Sequence, residues 1–353
     1  MTLDALLEHP PYGLSQAAKA AALLPLLQEL TLWHRARCPA YDRIARLTAP
    51  EPTTTLEDLP YLPVSLFKFR RLQSVPDSEV RVTVQSSGTS GTRSRIALDA
   101  DNARRSARAL ASCLTKVTGG PRLPMLIIDT PSAVQGRDTI GARAAAILGL
   151  MPYGRDHVFA LDDALQWQSD KVAGFLERHG GQRFLIYGFT FLIWQALLTA
   201  CRAARYDLSQ GVLLHSGGWK ALHKQAVDNA VFRQQLHDAC GVEDVRNFYG
   251  MAELPGTIFL EGDDGLLYPP NFSSVIIRDP VTRRPLEDGK TGLIEIISAL
   301  PRSYPGHVLL TEDMGVVERV DGAELQGQGL RIIGRAPRAE MRGCSDVLAG
   351  AAT

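Results

Sequence analysis

The sequence predicts an α/β protein in which parallel α/β layers are followed by a β-rich portion. Between residues 124 and 250, short apolar strands alternate with helices, a pattern typical of parallel sheets. After Met251, separate short β-like runs, among them GTIFLE, GLIEIIS, HVLLTED and GVVERV, are separated by Gly, Pro and Asp turns. The 353 residues are 45% apolar and 22% charged, which is ordinary for a folded domain.

The charge balance narrows the class of protein. Thirty-eight Lys and Arg residues match 38 Asp and Glu residues, so no field of one sign points to nucleic acid or a membrane surface. The beginning of the chain lacks the basic and apolar regions of a signal peptide. Five cysteines, at positions 38, 113, 201, 240 and 344, form no C-x-x-C pair. We therefore expect a cytoplasmic protein without a membrane span, a disulfide framework or a zinc site.

The elements divide the chain into regions. Residues 1–60 form a helical N-terminal region, where Ala and Leu predict a helix over 14–36 that Pro25 must kink or split. Residues 61–250 form the α/β part and 251–335 the β-rich part; together, 1–335 constitute one large domain. Residues 336–353 are predicted to be a short tail. Strands are predicted at 124–129, 183–189, 211–218 and 245–250, and helices at 138–150, at 191–204 and from near Trp219 to Cys240.

A hydroxyl-rich loop connects two strand-like segments before this alternation. Glycine-rich turns expose backbone N–H groups that bind anions, and hydroxyls add donors, so this loop is a candidate phosphate cradle. A solvated hairpin is the alternative, because Ser, Thr and Gly are also common turn residues. The loop is neither a Walker motif nor a serine elbow. Its candidate residues are Ser86, Ser87, Gly88, Thr89, Ser90, Gly91 and Ser94.

Four further motifs follow this loop in order. The loop SSGTSGTRS resembles the phosphate loop of the adenylate-forming superfamily of acyl-CoA synthetases, luciferases and adenylation domains. SGGWK (216–220), NFYGMAE (247–253), LTEDMG (310–315) and IIGR (332–335) resemble its later elements. Segments from about residue 60 to 346, among them FYGMAELPGTIF and RIIGRAPRAE, are similar to the acyl-protein synthetase (LuxE-type) branch.

The resemblance implies the large adenylation domain without the usual mobile C-terminal domain. That domain has roughly a hundred residues in full-length members, whereas only 18 residues follow Arg335 here. The hinge motif of the superfamily has Asp at the position of Pro337. We expect the second half-reaction to differ accordingly.

The resemblance also implies roles for single residues in binding ATP and Mg²⁺. The loop would hold the β- and γ-phosphates, and Gly217 and Gly218 would let the backbone approach the nucleotide. Tyr249, before Gly250, would lie on adenine. Ala252 replaces the usual Thr, so another donor must serve the α-phosphate. The remaining assignments are Glu253 for Mg²⁺, Asp313 (with Glu312 as its rival) for the ribose, and Arg335 for ribose or phosphate.

Two residues are candidates for the missing catalytic functions. Lys220, with Lys68 as a weaker candidate, would substitute for the lysine of the absent domain. Cys344 would accept the acyl group as a thioester, as a C-terminal cysteine does in the luminescence branch. The alternative is an incidental cysteine in the tail; the other four cysteines are expected in the core.

The implied reaction activates a fatty or aryl acid as acyl-AMP and transfers the acyl group to a thiol. That thiol would belong to Cys344, a carrier protein, a partner protein such as a reductase, or CoA. Tyr187, Phe189 and Trp219 are candidates for the acid pocket. One alternative function is a transferase that moves a preformed thioester onto a carrier protein in a secondary-metabolite pathway, and another is a non-catalytic nucleotide-binding subunit.

Overall fold

The computed structural model describes residues 1–48, 52–86, 93–120, 122–135, 142–219 and 225–336. The helices are α1 (Leu3–Glu8), α2 (Gln16–Arg37), α3 (Pro39–Thr48), α4 (Leu66–Phe69), α5 (Ala100–Thr118), α6 (Ala142–Leu150), α7 (Ser169–His179), α8 (Thr190–Leu192), α9 (Leu198–Ala204) and α10 (Asn229–Cys240). A π-helical segment, Ile193–Leu197, joins α8 to α9.

The strands alternate with these helices in the first half and dominate the second. They are β1 (Leu62–Pro63), β2 (Val80–Gln85), β3 (Arg95–Asp99), β4 (Leu123–Ile128), β5 (Gly154–Phe159), β6 (Phe184–Phe189), β7 (Gly211–Ser216), β8 (Asp244–Gly250), β9 (Ile258–Glu261), β10 (Leu267–Tyr268), β11 (Ser273–Arg278), β12 (Gly292–Ser298), β13 (Val308–Val320) and β14 (Gln328–Arg335). The predicted α/β part and β-rich part are therefore both present.

One 12-stranded sheet runs through the molecule in the order β11-β12-β13-β14-β10-β9-β8-β7-β6-β4-β5, and β1 pairs with β13. Strands β5, β4, β6, β7 and β8 are parallel to their neighbours. From β8 to β9 onward the pairing along this order is antiparallel, whereas β1 pairs in parallel with β13. Strands β2 and β3 form a separate antiparallel hairpin. The change of pairing falls where the helix–strand alternation of the sequence ends.

Helices cover both faces of the parallel strands. Successive residues of a strand point to opposite faces, so an unbroken apolar strand has apolar side chains on both faces for helices to bury. Leu185 and Tyr187 of β6 belong to a core with residues of α5 and α6. Phe184 and Ile186 belong to a second core with residues of α7, α9 and α10. Both sides of β6 are thus buried, as its unbroken apolar sequence predicts.

The N-terminal region packs on the antiparallel half of the sheet. Leu23 and Leu27 of α2 share a core with Ile276 and Ile297 of β11 and β12. Helix α2 runs continuously through Pro25, so a split at this proline is not observed. Burial of an apolar face on the sheet offsets the hydrogen bond that the proline removes.

For the helix predicted from near Trp219 to Cys240, the predicted start is wrong and the predicted end is confirmed. Helix α10 begins at Asn229, and the Asp228 carboxylate accepts a hydrogen bond from Val231 N as its N-cap. The runs HVLLTED and GVVERV, expected as two strands, form the single strand β13. After Cys240 the described residues contain strands and turns only, as expected. Among the described helices, none combines the length and apolar character that crossing a membrane requires.

Candidate active site

The candidate site lies at the carboxyl ends of the parallel strands. Strands β6, β7 and β8 end at Phe189, Ser216 and Gly250, which places Phe189, Gly217 and Tyr249 at one edge of the sheet. Loops at this edge of an open α/β sheet are where ligands bind. The fold therefore brings together residues that are far apart in the sequence.

Tyr249, Asp313 and Arg335 form a connected polar group. Tyr249 Oη donates a hydrogen bond to Asp313 Oδ2 at 2.7 Å. Asp313 is the cross-strand partner of Arg335, and Arg335 Nε lies 3.7 Å from Asp313 Oδ1. Three of the predicted site residues, from strands β8, β13 and β14, thus meet at one point.

Tyr249 is held as a neutral hydrogen-bond donor. Burial raises the pKa of Tyr249 well above its usual value, and the negative charges of Asp313 and Glu253 raise it further. Its ring packs against Phe259 with centroids 5.8 Å apart. The hydroxyl is therefore available to orient the Asp313 carboxylate at any pH near neutrality.

Glu312 and Asp313 both lie near Arg335, and their other partners distinguish the two rivals for the ribose. Glu312 Oε2 lies 3.4 Å from Lys68 Nζ and 3.8 Å from Arg335 Nη1. Asp313 Oδ2 instead faces Tyr249. Adjacent residues of a strand point to opposite sides, so only Asp313 points toward the end of β8.

Glu253 is buried beside the same group. It is 7% exposed, and it forms no ion pair with any basic side chain in the described part of the chain. Its backbone carbonyl accepts a hydrogen bond from Tyr304 Oη at 2.9 Å. Burial raises the pKa of Tyr304 well above its usual value, and the charge of Glu253 adds to the effect. A buried carboxylate without a cationic partner is costly and attracts a cation.

Gly217 takes a conformation that a side chain would strain. Its φ is +79°, and an added Cβ would lie 3.3 Å from Phe189 Cδ1. Thr190 Oγ1 donates to Gly217 O at 2.7 Å and fixes the turn. Gly217 and Gly218 are both exposed, so the backbone at the end of β7 is open to a ligand.

The structure describes the base of the hydroxyl-rich loop. Ser94 N donates to Ser86 Oγ at 3.0 Å, and Ser86 N donates to Ser94 O at 3.3 Å. Ser94 is completely buried, and its Oγ has no hydrogen-bond partner among the described residues. These two serines close the β2–β3 hairpin. The other candidate loop residues, Ser87 to Gly91, lie outside the described residues.

The candidate pocket residues do not form one cluster. Tyr187 is fully buried, with its ring centroid 6.1 Å from that of Phe189. Trp219 packs against Trp194 and Phe232, with centroids 5.1 and 6.0 Å apart, in the core on the other face of the sheet. Tyr187 and Phe189 thus lie together at the site, and Trp219 lies apart from them.

Two candidate catalytic residues, Lys220 and Cys344, lie outside the described residues. The expectation for the remaining cysteines is confirmed. All four are free and buried: Cys38, Cys113, Cys201 and Cys240.

Sequence reasoning missed an ion pair at this edge. Asp129, directly after β4, is 1% exposed and accepts two hydrogen bonds from the Arg143 guanidinium, at 2.8 and 2.5 Å. An acidic residue immediately after a buried apolar strand is a signal that could have located it. Tyr304 was also missed, and its distance in sequence from Glu253 left no local signal.

The chain has the fold of ligases that form acyl adenylates. A 2-hydroxyisobutyryl-CoA ligase in complex with its acyl-AMP has the same fold, with a TM-score of 0.67 at 17% identity, covering 91% of this chain and 69% of that one. Residues 3–353 match the family "Acyl-protein synthetase, LuxE", and the chain belongs to that family.

Two relatives share the name long-chain-fatty-acid–luciferin-component ligase. The one from Vibrio harveyi is 26% identical over 85% of this chain and 80% of its own length. The one from Aliivibrio fischeri is 23% identical over 82% of this chain and 78% of its own length.

Proposed function

We propose that this chain uses ATP to activate a carboxylic acid as acyl-AMP and then transfers the acyl group to a thiol. The observation that supports this most directly is the hydrogen bond of Tyr249 to Asp313, beside Arg335 and the buried Glu253. This hydrogen bond supports the proposal because it holds an aromatic ring and a carboxylate, with a cation beside them, at one edge of the sheet.

In the first step, a carboxylate oxygen attacks the α-phosphorus of ATP. A bond forms between this oxygen and phosphorus, and the bond from the α-phosphorus to the pyrophosphate oxygen breaks. A carboxylate is already ionised at neutral pH, so the protein's task is positioning and charge neutralisation.

Each residue of the group has a role that its geometry permits. The Asp313 carboxylate accepts from Tyr249 at Oδ2 and retains lone pairs on both oxygens for the ribose hydroxyls. The exposed Gly217 and Gly218 lie where a nucleotide can approach the backbone. Arg335, 76% exposed, can turn from Asp313 and Glu312 toward a phosphate.

Glu253 is the side chain that would hold a magnesium ion at this site. No cluster of three or more metal-ligating side chains occurs in the described ranges. A single buried carboxylate suits Mg²⁺, which is commonly bound by one or two carboxylates together with substrate phosphates. When bound, the ion would neutralise phosphate charge.

The substrate class is proposed to be a fatty acid, because both named relatives are long-chain-fatty-acid ligases. The partly exposed Phe189 beside Tyr187 provides apolar surface at the site. An aryl acid would use the same surface, so a panel of acids decides between the two.

Carboxylate-dependent exchange of pyrophosphate into ATP tests this function. Wild-type protein should exchange with at least one acid of a fatty and aryl panel. Asp313→Asn should reduce kcat/KM for ATP by about 10- to 100-fold, since a hydrogen bond to a charged group contributes about 1.5–3 kcal/mol. Glu312→Gln should stay within about threefold because exposed ion pairs contribute little. A complete absence of exchange would favour the transferase that uses a preformed thioester, or the non-catalytic subunit.

The acceptor thiol is tested separately. A labelled acyl group on the protein that hydroxylamine releases, and that disappears in Cys344→Ala, would assign acceptance to Cys344. A label that persists in this variant would exclude it.

A further inference from the structure

A basic groove lies between α4 and the β2–β3 hairpin. It encloses about 670 Å³, and its walls are formed by residues 67–72 on one side and alternate residues of the hairpin on the other. Five cations line this basic groove: Lys68, Arg70, Arg71, Arg93 and Arg95. Volumes of this size are typical of sites for small molecules and cofactors.

The positive charge of the basic groove is only partly compensated. Arg71 Nη2 lies 2.6 Å from Asp77 Oδ1, and Lys68 Nζ lies 3.4 Å from Glu312 Oε2. Arg70, Arg93 and Arg95 form no ion pair with an acidic side chain of the described ranges. The whole chain has a net charge of zero, so this is a local concentration of cations. Such a concentration attracts an anion.

The register of the hairpin points its polar groups into the basic groove. Gln85 pairs with Arg95, and Thr83 pairs with Ala97. Residues two apart on a strand share a face, so these pairs project to one side. Two rows of donors, one from the hairpin and one from residues 68–71, therefore face each other across the groove. Arginine is well suited to phosphate because its guanidinium can bind two oxygens at once.

The basic groove also offers apolar surface. Phe69 is 70% exposed, and Phe67 and Leu72, which also line the groove, are 1% and 2% exposed. A ligand that combines phosphate with an uncharged organic arm matches this combination better than inorganic phosphate does.

The position of the basic groove connects it to the candidate active site. Lys68, in its wall, contacts Glu312, the neighbour of Asp313. In the sequence, the hydroxyl-rich loop connects the two strands of the same hairpin. A ligand held here lies at the margin of the nucleotide site.

We propose that the basic groove binds the phosphate of the acyl acceptor, and that this acceptor is a phosphopantetheine thiol. The proposal rests on the proposed function and specifies its second substrate. The thiol sulfur attacks the carbonyl carbon of acyl-AMP, a C–S bond forms, and the C–O bond to AMP breaks. AMP leaves with the electron pair, and the thiol proton passes to solvent. CoA and a carrier protein both supply this chemistry.

The test compares four thiols: CoA, dephospho-CoA, 4′-phosphopantetheine and pantetheine. Thioester formation is measured with wild-type protein and with the double variant Arg70→Ala/Arg95→Ala. Arg43→Ala/Arg284→Ala is the control, because it removes two exposed arginines outside the groove that have no ion pair in the described chain. Pyrophosphate exchange is measured in parallel for all three proteins.

Wild-type protein should use 4′-phosphopantetheine with a kcat/KM about tenfold or more above that for pantetheine, the ratio expected when a phosphate contact is worth about 1.4 kcal/mol. The groove variant should lose this preference, whereas its pantetheine and exchange rates, and the control, stay within about twofold of wild type. A higher kcat/KM with CoA than with 4′-phosphopantetheine would show that the nucleotide of CoA is contacted as well. Equal values of kcat/KM with these two thiols would favour a carrier protein as the acceptor.

Three results would overturn the proposal while leaving the proposed function intact, provided that exchange is observed. They are equal use of pantetheine and its phosphate by wild-type protein, transfer to none of the four thiols, and a raised KM for pyrophosphate as the main defect of the groove variant. Absence of exchange would instead refute the proposed function itself.

Discussion

Tyr249 and Asp313 are 64 residues apart in the chain, and a hydrogen bond of 2.7 Å joins their side chains. Strand β8 ends the parallel series β5-β4-β6-β7-β8, and β13 lies among the strands that pair antiparallel with their neighbours β12 and β14. The bond therefore connects the two halves at the candidate site. Because the carboxylate carries the proposed ribose contact, the tyrosine acts by holding it in place.

Removal of this hydroxyl should weaken ATP binding. We expect Tyr249→Phe to raise KM for ATP by about tenfold, since a hydrogen bond to a charged group contributes about 1.5–3 kcal/mol and part of it is recovered by water. Pyrophosphate exchange at varied ATP measures this effect. Tyr268→Phe is the matched control, because Tyr268 Oη also donates to a carboxylate, Asp264 Oδ2, at 2.7 Å. An equal rise in KM in both variants would show that the effect is structural.

Loss of the Glu253 charge should change the requirement for magnesium. Glu253→Gln keeps the size of the buried side chain but removes its charge. We expect the Mg²⁺ concentration for half-maximal exchange to rise by about tenfold, as for the loss of about 1.4 kcal/mol of binding. In Tyr249→Phe the ATP dependence should change and the Mg²⁺ dependence should not. An unchanged magnesium titration in Glu253→Gln would exclude the metal role.

The helices and strands that were predicted correctly are those that a short stretch of sequence indicates by itself. The strands β6, β7 and β8 follow from apolar runs that end in Gly or polar residues. The start of α10 was predicted near Trp219, but Asp228 provides the N-cap and the helix begins at Asn229. Helix α5 was not predicted, although Asp99 caps its start and Gly119 ends it with a φ of +74°.

The site residues could be predicted from the sequence only where they belong to a motif that resembles one of the superfamily. Tyr249, Asp313 and Arg335 were expected at one place, and the sheet brings them together. The separation of Trp219 from Tyr187 depends on the face to which each side chain packs, which an apolar sequence leaves open. The basic groove arises from pairing between β2 and β3 and from the approach of residues 67–72, and neither is visible in the linear chain.

A buried ion pair should be essential for stability. Arg278 Nε and Nη2 lie 2.5 and 2.9 Å from the Glu295 carboxylate, and their side chains are 5% and 0% exposed. Glu295→Ala leaves a buried guanidinium unpaired, so we expect a loss of about 3–5 kcal/mol in the free energy of unfolding. Urea denaturation measures it. Glu318→Ala, which breaks an equally bidentate but exposed pair with Arg331, should cost less than about 1 kcal/mol. Similar losses in the two variants would contradict the role of burial.

Stability should fall in mild acid because buried histidines stay neutral in the folded protein. Burial lowers the pKa of His34 to about 3 and the pKa of His215 to about 3. Below about pH 6.5 the unfolded chain takes up protons that the folded chain does not, so stability is complete above that pH and declines toward pH 3.

Thermal melts at pH 7.5 and 5.5 measure this effect. His34→Gln should reduce the decline in Tm between the two values, whereas His237→Gln, at an exposed position, should leave it unchanged. If the decline were equal in both variants, protonation of His34 would not be its cause.

In the proposed mechanism, a carboxylate oxygen attacks the α-phosphorus of ATP. This step is tested most directly with an acid labelled with oxygen-18 in its carboxylate, chosen from the exchange panel, and by mass spectrometry of the nucleotide released after transfer to a thiol. The mechanism predicts AMP that carries one labelled oxygen, because that oxygen stays on phosphorus when the acyl carbon is transferred. Unlabelled AMP, or ADP with phosphate as the products, would contradict it.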